Sequence, residues 1–203
     1  MEKRLAQIIA ILFHPLLMPT YSFLLLFNID SYLSLQLVFK AKIILTFMIV
    51  TSTVVTPLIM FTIFKRNRMI ADFHMKTKEE RIYPFISLTA IYFLLYLLVS
   101  RTALHPIYGF ILLSTTMVSL AIFFINLRWK ISVHTAGMGG LTAVVLGLSY
   151  RLQTDLFLLT GIIIICSGLV GFARLKTDSH KPSEIYSGYL VGATVFLLMF
   201  LLF

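Results

Sequence analysis

Arg174, His180 and Glu184 share one short polar stretch, ARLKTDSHKPSE, set between two long apolar runs. Ionisable groups beside a bilayer are costly unless they are paired or at work, so the stretch marks a candidate functional site. The spacing R-x5-H-x3-E points to a particular chemistry. A carboxylate next to an imidazole holds its tautomer and orientation, and an arginine grips an anion through its fork of N–H donors. Together they suit a histidine nucleophile attacking a phosphate monoester.

Two further polar stretches supply what phosphate chemistry needs. ISVHTAG (131–137) puts Ser132 and His134 at the start of an expected helix, where unpaired N–H groups and the positive dipole end favour a phosphate oxygen. KTKEERIYP (76–84) supplies Lys76, Lys78 and Arg81 ahead of another expected helix. Plainer roles fit some of these residues too. Glu184 suits a helix N-terminal carboxylate stabilised by the dipole, and His134 on its own is compatible with an ordinary helix-start residue.

The three stretches resemble the signatures of the type 2 phosphatidic acid phosphatase superfamily, which includes membrane lipid phosphatases and vanadium haloperoxidases. The third signature, SRxxxxxHxxxD, reads here with Arg174 and His180 in register, Ala173 for Ser and Glu184 for Asp. It continues as PSEIYSGYLVG, similar to the family's PSD and small-residue helix. The second, PSGH, reads ISVH, keeping Ser132 and His134 with Ile131 and Val133 in the other places. In the first, KxxxxxxRP, Lys76 and Pro84 keep the spacing while Tyr83 holds the Arg position and Arg81 stands two residues earlier.

The resemblance implies that His180 attacks phosphorus to form a phosphohistidine while Glu184 orients it. His134 then protonates the leaving alkoxide and activates water. Arg174, Lys76, Lys78, Arg81 and the Ser132 region bind phosphoryl oxygens, and no metal or other cofactor is required. The phosphatase-like core would cover about 76–203. A member of such a family with a degenerate site, binding or transporting a lipid, is the alternative that the replaced signature residues Ala173, Ile131, Val133 and Tyr83 leave open.

The elements that must position these residues are membrane helices. Of 203 residues, 59% are hydrophobic and 12% charged, with mean hydropathy +0.96. A soluble domain is about half apolar and about a quarter charged, so the expected class is an all-α, polytopic transmembrane bundle forming one membrane-embedded domain over 1–203. A span needs about 20 mostly apolar residues. Seven segments qualify, at roughly 5–27, 41–64, 83–100, 106–126, 134–150, 156–172 and 185–203, for six to seven spans. The first has a basic start like a signal peptide but lacks a convincing cleavage site, and reads as a retained span that Pro15 and Pro19 kink or make re-entrant. The fifth contains Gly137, Gly139, Gly140 and Ala143, so close contacts should make it central.

Alternating sides puts Lys3, Arg4, Lys65, Arg66, Arg68, Lys76, Lys78, Arg81, Arg128, Lys130, Arg174, Lys176 and Lys181 on one face, and Lys40, Lys42, Arg101 and Arg151 on the other. The positive-inside rule then predicts cytoplasmic active-site loops, in an integral protein of a bacterial inner membrane. Setting aside Lys76, Lys78, Arg81, Arg174 and Lys176 as anion-binding candidates weakens the bias without reversing it.

The expected partners are a membrane lipid phosphate and the bilayer, with no nucleic acid. Asp30, Asp72, Asp155 and Asp178 form no D-x2-3-D cluster, which disfavours a Mg²⁺-dependent lipid enzyme. Asp72 with His74 is a weak metal pair. His14 and His105 each precede a proline and are expected to be structural. The lone Cys166 is expected to be a packing residue.

Overall fold

A computed structural model describes residues 2–71 and 79–203, all of them in helices or in the connections between helices. Lys76 and Lys78, and the Asp72–His74 pair, lie outside the described residues. In chain order the helices are α1 (Glu2–Leu12), α2 (Met18–Asn28), α3 (Tyr32–Gln36), α4 (Phe39–Val50), α5 (Thr56–Arg66), α6 (Glu79–Ser100), α7 (Pro106–Asn126), α8 (Val133–Leu152), α9 (Phe157–Lys176) and α10 (Pro182–Leu202). Among the described residues, six stretches are long and apolar enough to cross a membrane: Glu2–Asn28, Phe39–Arg66, α6, α7, α9 and α10. The protein is the all-α transmembrane bundle that its composition implies.

α8 is not one of those six, and its position explains why. From Thr135 to Leu148 every residue but Gly137 and Leu146 is buried. A helix enclosed by other helices needs no lipid-facing stripe, so small and hydroxyl side chains replace bulky apolar ones. α10 packs against it in parallel, with Gly188 level with Ser132, Gly192 with Ala136 and Phe196 with Gly140. A Cβ on Gly188 would overlap the Ser132 carbonyl oxygen, and one on Gly192 that of Ala136, so only glycine permits this approach. Because α9 crosses back between them, α8 and α10 begin at the same end of the bundle.

The first span breaks where its prolines fall. α1 ends at Leu12, His14 is extended (φ −67°, ψ 137°) and Pro15–Leu17 form a 3-10 turn that leads into α2. The residue before a proline is pushed out of the helical region, and proline itself offers no N–H to continue the ladder. This is the kink, not the re-entrant loop, of the two expected outcomes. The break docks on α8, with Pro15 and Met18 against Gly137. The second span carries a π-helical stretch at Thr51–Val55 just ahead of Pro57.

Two helix ends differ from the expected boundaries and matter for the site. α6 starts at Glu79, so Arg81 lies in its first turn and not in a preceding loop. α9 runs on to Lys176, so Arg174 lies in its last turn. The acidic Glu79 and Glu80 at one helix start, and Arg174 and Lys176 at the other helix end, complement the dipoles.

Contacts sort the connections onto two ends. At one, Lys176 Nζ meets Glu2 Oε2 at 2.9 Å, Lys3 pairs with Asp178 at 3.8 Å, and Lys130 Nζ donates to the Ser179 carbonyl at 3.0 Å. At the other, Lys42 Nζ donates to the Phe27 carbonyl at 2.9 Å, and Phe203 stacks on Phe110 with Arg151 over its ring. The N-terminal helix and the later basic connections therefore share one end, as the charge count assumed, and Phe203 lies at the opposite end.

Candidate functional site

The turn between α9 and α10 builds the first half of the site. Thr177 closes α9 by donating its N–H to the Ala173 carbonyl, and Asp178 takes a left-handed conformation (φ 51°) that folds the chain back. Pro182 then opens α10, suited to a first-turn position where no N–H is needed. In that turn Glu184 Oε2 does two things. It accepts the Lys181 N–H at 3.3 Å, capping the helix, and it lies 2.7 Å from His180 Nδ1. The plain and the chemical roles of Glu184 coexist in one oxygen.

The His180 and Glu184 side chains are 8% and 12% exposed. Burial pushes the His180 imidazole down to about 4; the Glu184 hydrogen bond opposes this, and the nearby Arg174 and Lys130 reinforce it. The ring is thus neutral near pH 7. An ionised carboxylate only accepts, so Nδ1 carries the ring's proton and Nε2 keeps its lone pair, which is the state a nucleophile requires.

α8 supplies the second half. Ser132 caps it, its Oγ accepting the Thr135 N–H at 3.4 Å. The Ser132 N–H donates to the Glu184 carbonyl at 2.9 Å, and Thr135 Oγ1 donates to the Ile185 carbonyl at 2.9 Å. These bonds lock the two helix starts side by side. Ser132 is 0% exposed with its hydroxyl engaged in the cap, so what its region offers an anion is the helix start itself. His134, the second residue of α8, has the Ala10 carbonyl within reach of its ring and lies within electrostatic reach of Arg174, His14 and His180.

Three cations close around this pair. Arg81 is 7% exposed, and its Nη1 donates to Asn126 Oδ1 at 3.2 Å while Glu184 and Glu80 lie near. Arg174 has a buried Nε with no hydrogen-bond partner among the described residues. Lys130 lies within reach of Arg81, Glu184 and Arg174; its ammonium is pushed down, first by burial and then by the two guanidiniums, with Glu184 opposing.

Of the sequence-predicted site residues, His180, Glu184, His134, Arg174 and Arg81 come together, and Ser132 serves as the cap beside them. Three participants were not expected. Lys130 stands two residues before Ser132 and was counted only as topological charge; Asn126 is the polar end of α7. His14 keeps the structural role expected of it and adds a contact. It does cap the Pro15 turn, its Nδ1 accepting the Leu16 N–H at 3.3 Å, but its ring also meets His134 edge to face with centroids 5.2 Å apart. A histidine in mid-span was the available signal.

No protein-family model, curated protein or solved structure matches this chain. Among the described residues, Arg81, Arg174 and Lys130 and the starts of α8 and α10 gather around Glu184, with Glu80 also near Arg81, a setting that suits a bound anion. His180 and His134 lie within electrostatic reach of each other, and both within that of Arg174.

Proposed function

We propose that this protein is an integral membrane phosphatase that hydrolyses a lipid phosphate monoester or diphosphate through a phosphohistidine on His180, as a divergent member of the type 2 phosphatidic acid phosphatase superfamily. The observation that carries the proposal is the 2.7 Å contact between His180 Nδ1 and Glu184 Oε2, which leaves Nε2 free beside the cations. In the first step Nε2 attacks phosphorus, the ester P–O bond breaks, and His134, protonated beside the bound phosphate dianion, gives a proton to the departing alkoxide. In the second, His134 takes a proton from water, whose oxygen displaces phosphate from His180. Arg174, Arg81 and Lys130 hold the equatorial oxygens as charge spreads over them. The residues encode a phosphoryl group and not the tail, so phosphatidate, a glycerophosphate lipid and a polyprenyl diphosphate are all within the class.

The site end faces the cytoplasm of a bacterial inner membrane on this proposal, because that end carries most of the Lys and Arg. The deciding experiment is phosphate release from a panel of lipid phosphates by purified protein, with and without EDTA. Release that survives EDTA and disappears in His180→Asn is expected; release that survives in His180→Asn overturns the nucleophile assignment.

A further inference from the structure

We propose that the break in the first span positions His134, with His14 as the positioning residue and the Ala10 carbonyl as the partner that the break exposes. The role of His134 in turnover rests on the function proposed above; its positioning does not. In an unbroken helix the Ala10 carbonyl would accept the His14 N–H. Here Phe13 N–H goes to Ile9 and His14 N–H to Ile11, at 2.9 and 3.2 Å. The Ala10 carbonyl is thereby released from the ladder, and a buried carbonyl needs a donor. The His134 ring lies within reach of it, and a ring nitrogen turned to that carbonyl would leave the other for the site.

His14 completes the arrangement. Its Nδ1 accepts the Leu16 N–H, so in the neutral ring the proton sits on Nε2. The ring stands at 81° to that of His134 and blocks it from rotating away. Pro15 and Met18 sit on Gly137, one turn along α8 from His134, which fixes the break and the imidazole in register. The two histidines therefore have unlike partners. A carboxylate orients the neutral His180 ring and stabilises the charge it gains on attack, whereas a neutral carbonyl fixes a tautomer without adding charge. That suits a group that must give a proton and take one back.

The test compares the full-length wild type with His14→Asn, which keeps a side-chain acceptor for the Leu16 N–H but removes the ring, and with Pro15→Ala, which lets the ladder reclaim Ala10. Each is purified in detergent with ¹⁵N-histidine, and ring signals are assigned with His134→Ala and His180→Asn. We expect the His134 signals to change tautomer ratio in both variants while those of His180 stay in place. Turnover of dioleoyl phosphatidate should fall about 10–100-fold, and turnover of p-nitrophenyl phosphate, whose leaving group needs no acid, should fall less. Unchanged His134 signals in both variants overturn the positioning proposal, whatever the activity. A wild type inert toward both esters instead overturns the proposed function, and the ring signals then still decide the positioning.

Discussion

His180 and Glu184 meet at 2.7 Å although His180 lies two residues before α10 begins and Glu184 lies in its first turn. The same carboxylate oxygen caps the helix through Lys181. Folding the helix start and arming the imidazole are therefore one event. Glu184→Gln keeps an acceptor for the cap and for Nδ1–H but loses the charge. Activity should drop by roughly 10²–10⁴-fold, while thermal stability in detergent changes little. Glu184→Ala should lose both, at a stability cost of about 1 kcal/mol for the missing cap. Equal activities of the Gln and Ala variants would show that the charge, not the hydrogen bond, carries the whole effect.

His134→Ala removes the proposed acid and base but not the nucleophile. With an aryl phosphate, whose leaving group departs unaided, the first step should continue and the second should stall. A phosphorylated protein, acid-labile and absent from His180→Asn, should accumulate and be visible by intact mass. Rapid turnover of the aryl ester by His134→Ala would remove His134 from the second step.

Burial holds His180 near 4, against about 6.5 for a free imidazole. Between those values the unfolded chain binds a proton that the folded chain does not, so this group's contribution to stability falls as pH falls through that window and levels off below it. A wild-type protein should lose stability from about pH 6.5 to about pH 4 more steeply than His180→Asn. Parallel melting curves would refute the buried, neutral ring.

The α8–α10 contact gives a prediction on packing. Gly192→Ala places a Cβ against the Ala136 carbonyl and should cost about 1–3 kcal/mol or more, also spreading the two helix starts and lowering activity. Gly161, whose Cβ would meet nothing within 4 Å, is the control. Gly161→Ala should be neutral or stabilising by up to about 1 kcal/mol.

Orientation is open to labelling. Asn67 and Asp155 are both exposed and belong to opposite ends. With Cys166 replaced, an impermeant thiol reagent on intact cells should modify a cysteine at 155 and spare one at 67. The reverse would mean that anion-binding charge, not topology, set the basic bias, and would favour carrier-lipid diphosphates as substrates.

Apolar runs and their punctuation carried most of the fold. Pro106 and Asn126 bound α7 where the sequence places them, because a proline opens the helix and the polar run after Asn126 follows its end. The core of the site was legible for a local reason: His180 and Glu184 are four residues apart. The Arg81–Asn126 bond and the His14–His134 contact were not, since each joins segments far apart in sequence whose meeting depends on helix rotation and depth. Depth is also why α6 and α9 outran their apolar cores. Arg174 and Lys176 belong to a helical turn because a C-terminal dipole end accepts cations that a hydropathy boundary excludes, and Arg81 to one because Asn126, Glu184 and Glu80 accept its charge.

The weak hydropathy of α8 has a consequence for how the protein is made. A segment of glycines, threonines and a histidine has little drive to leave the translocon alone. It must wait for the emergence of α9, and gains its closest neighbour only when Gly188 and Gly192 are synthesised. The helix bearing His134 is thus committed to the bilayer late, by its successors. A chain truncated near Arg151 and released from the ribosome should leave that helix accessible from the aqueous side, and the proposed site comes into being only as the last helix is threaded.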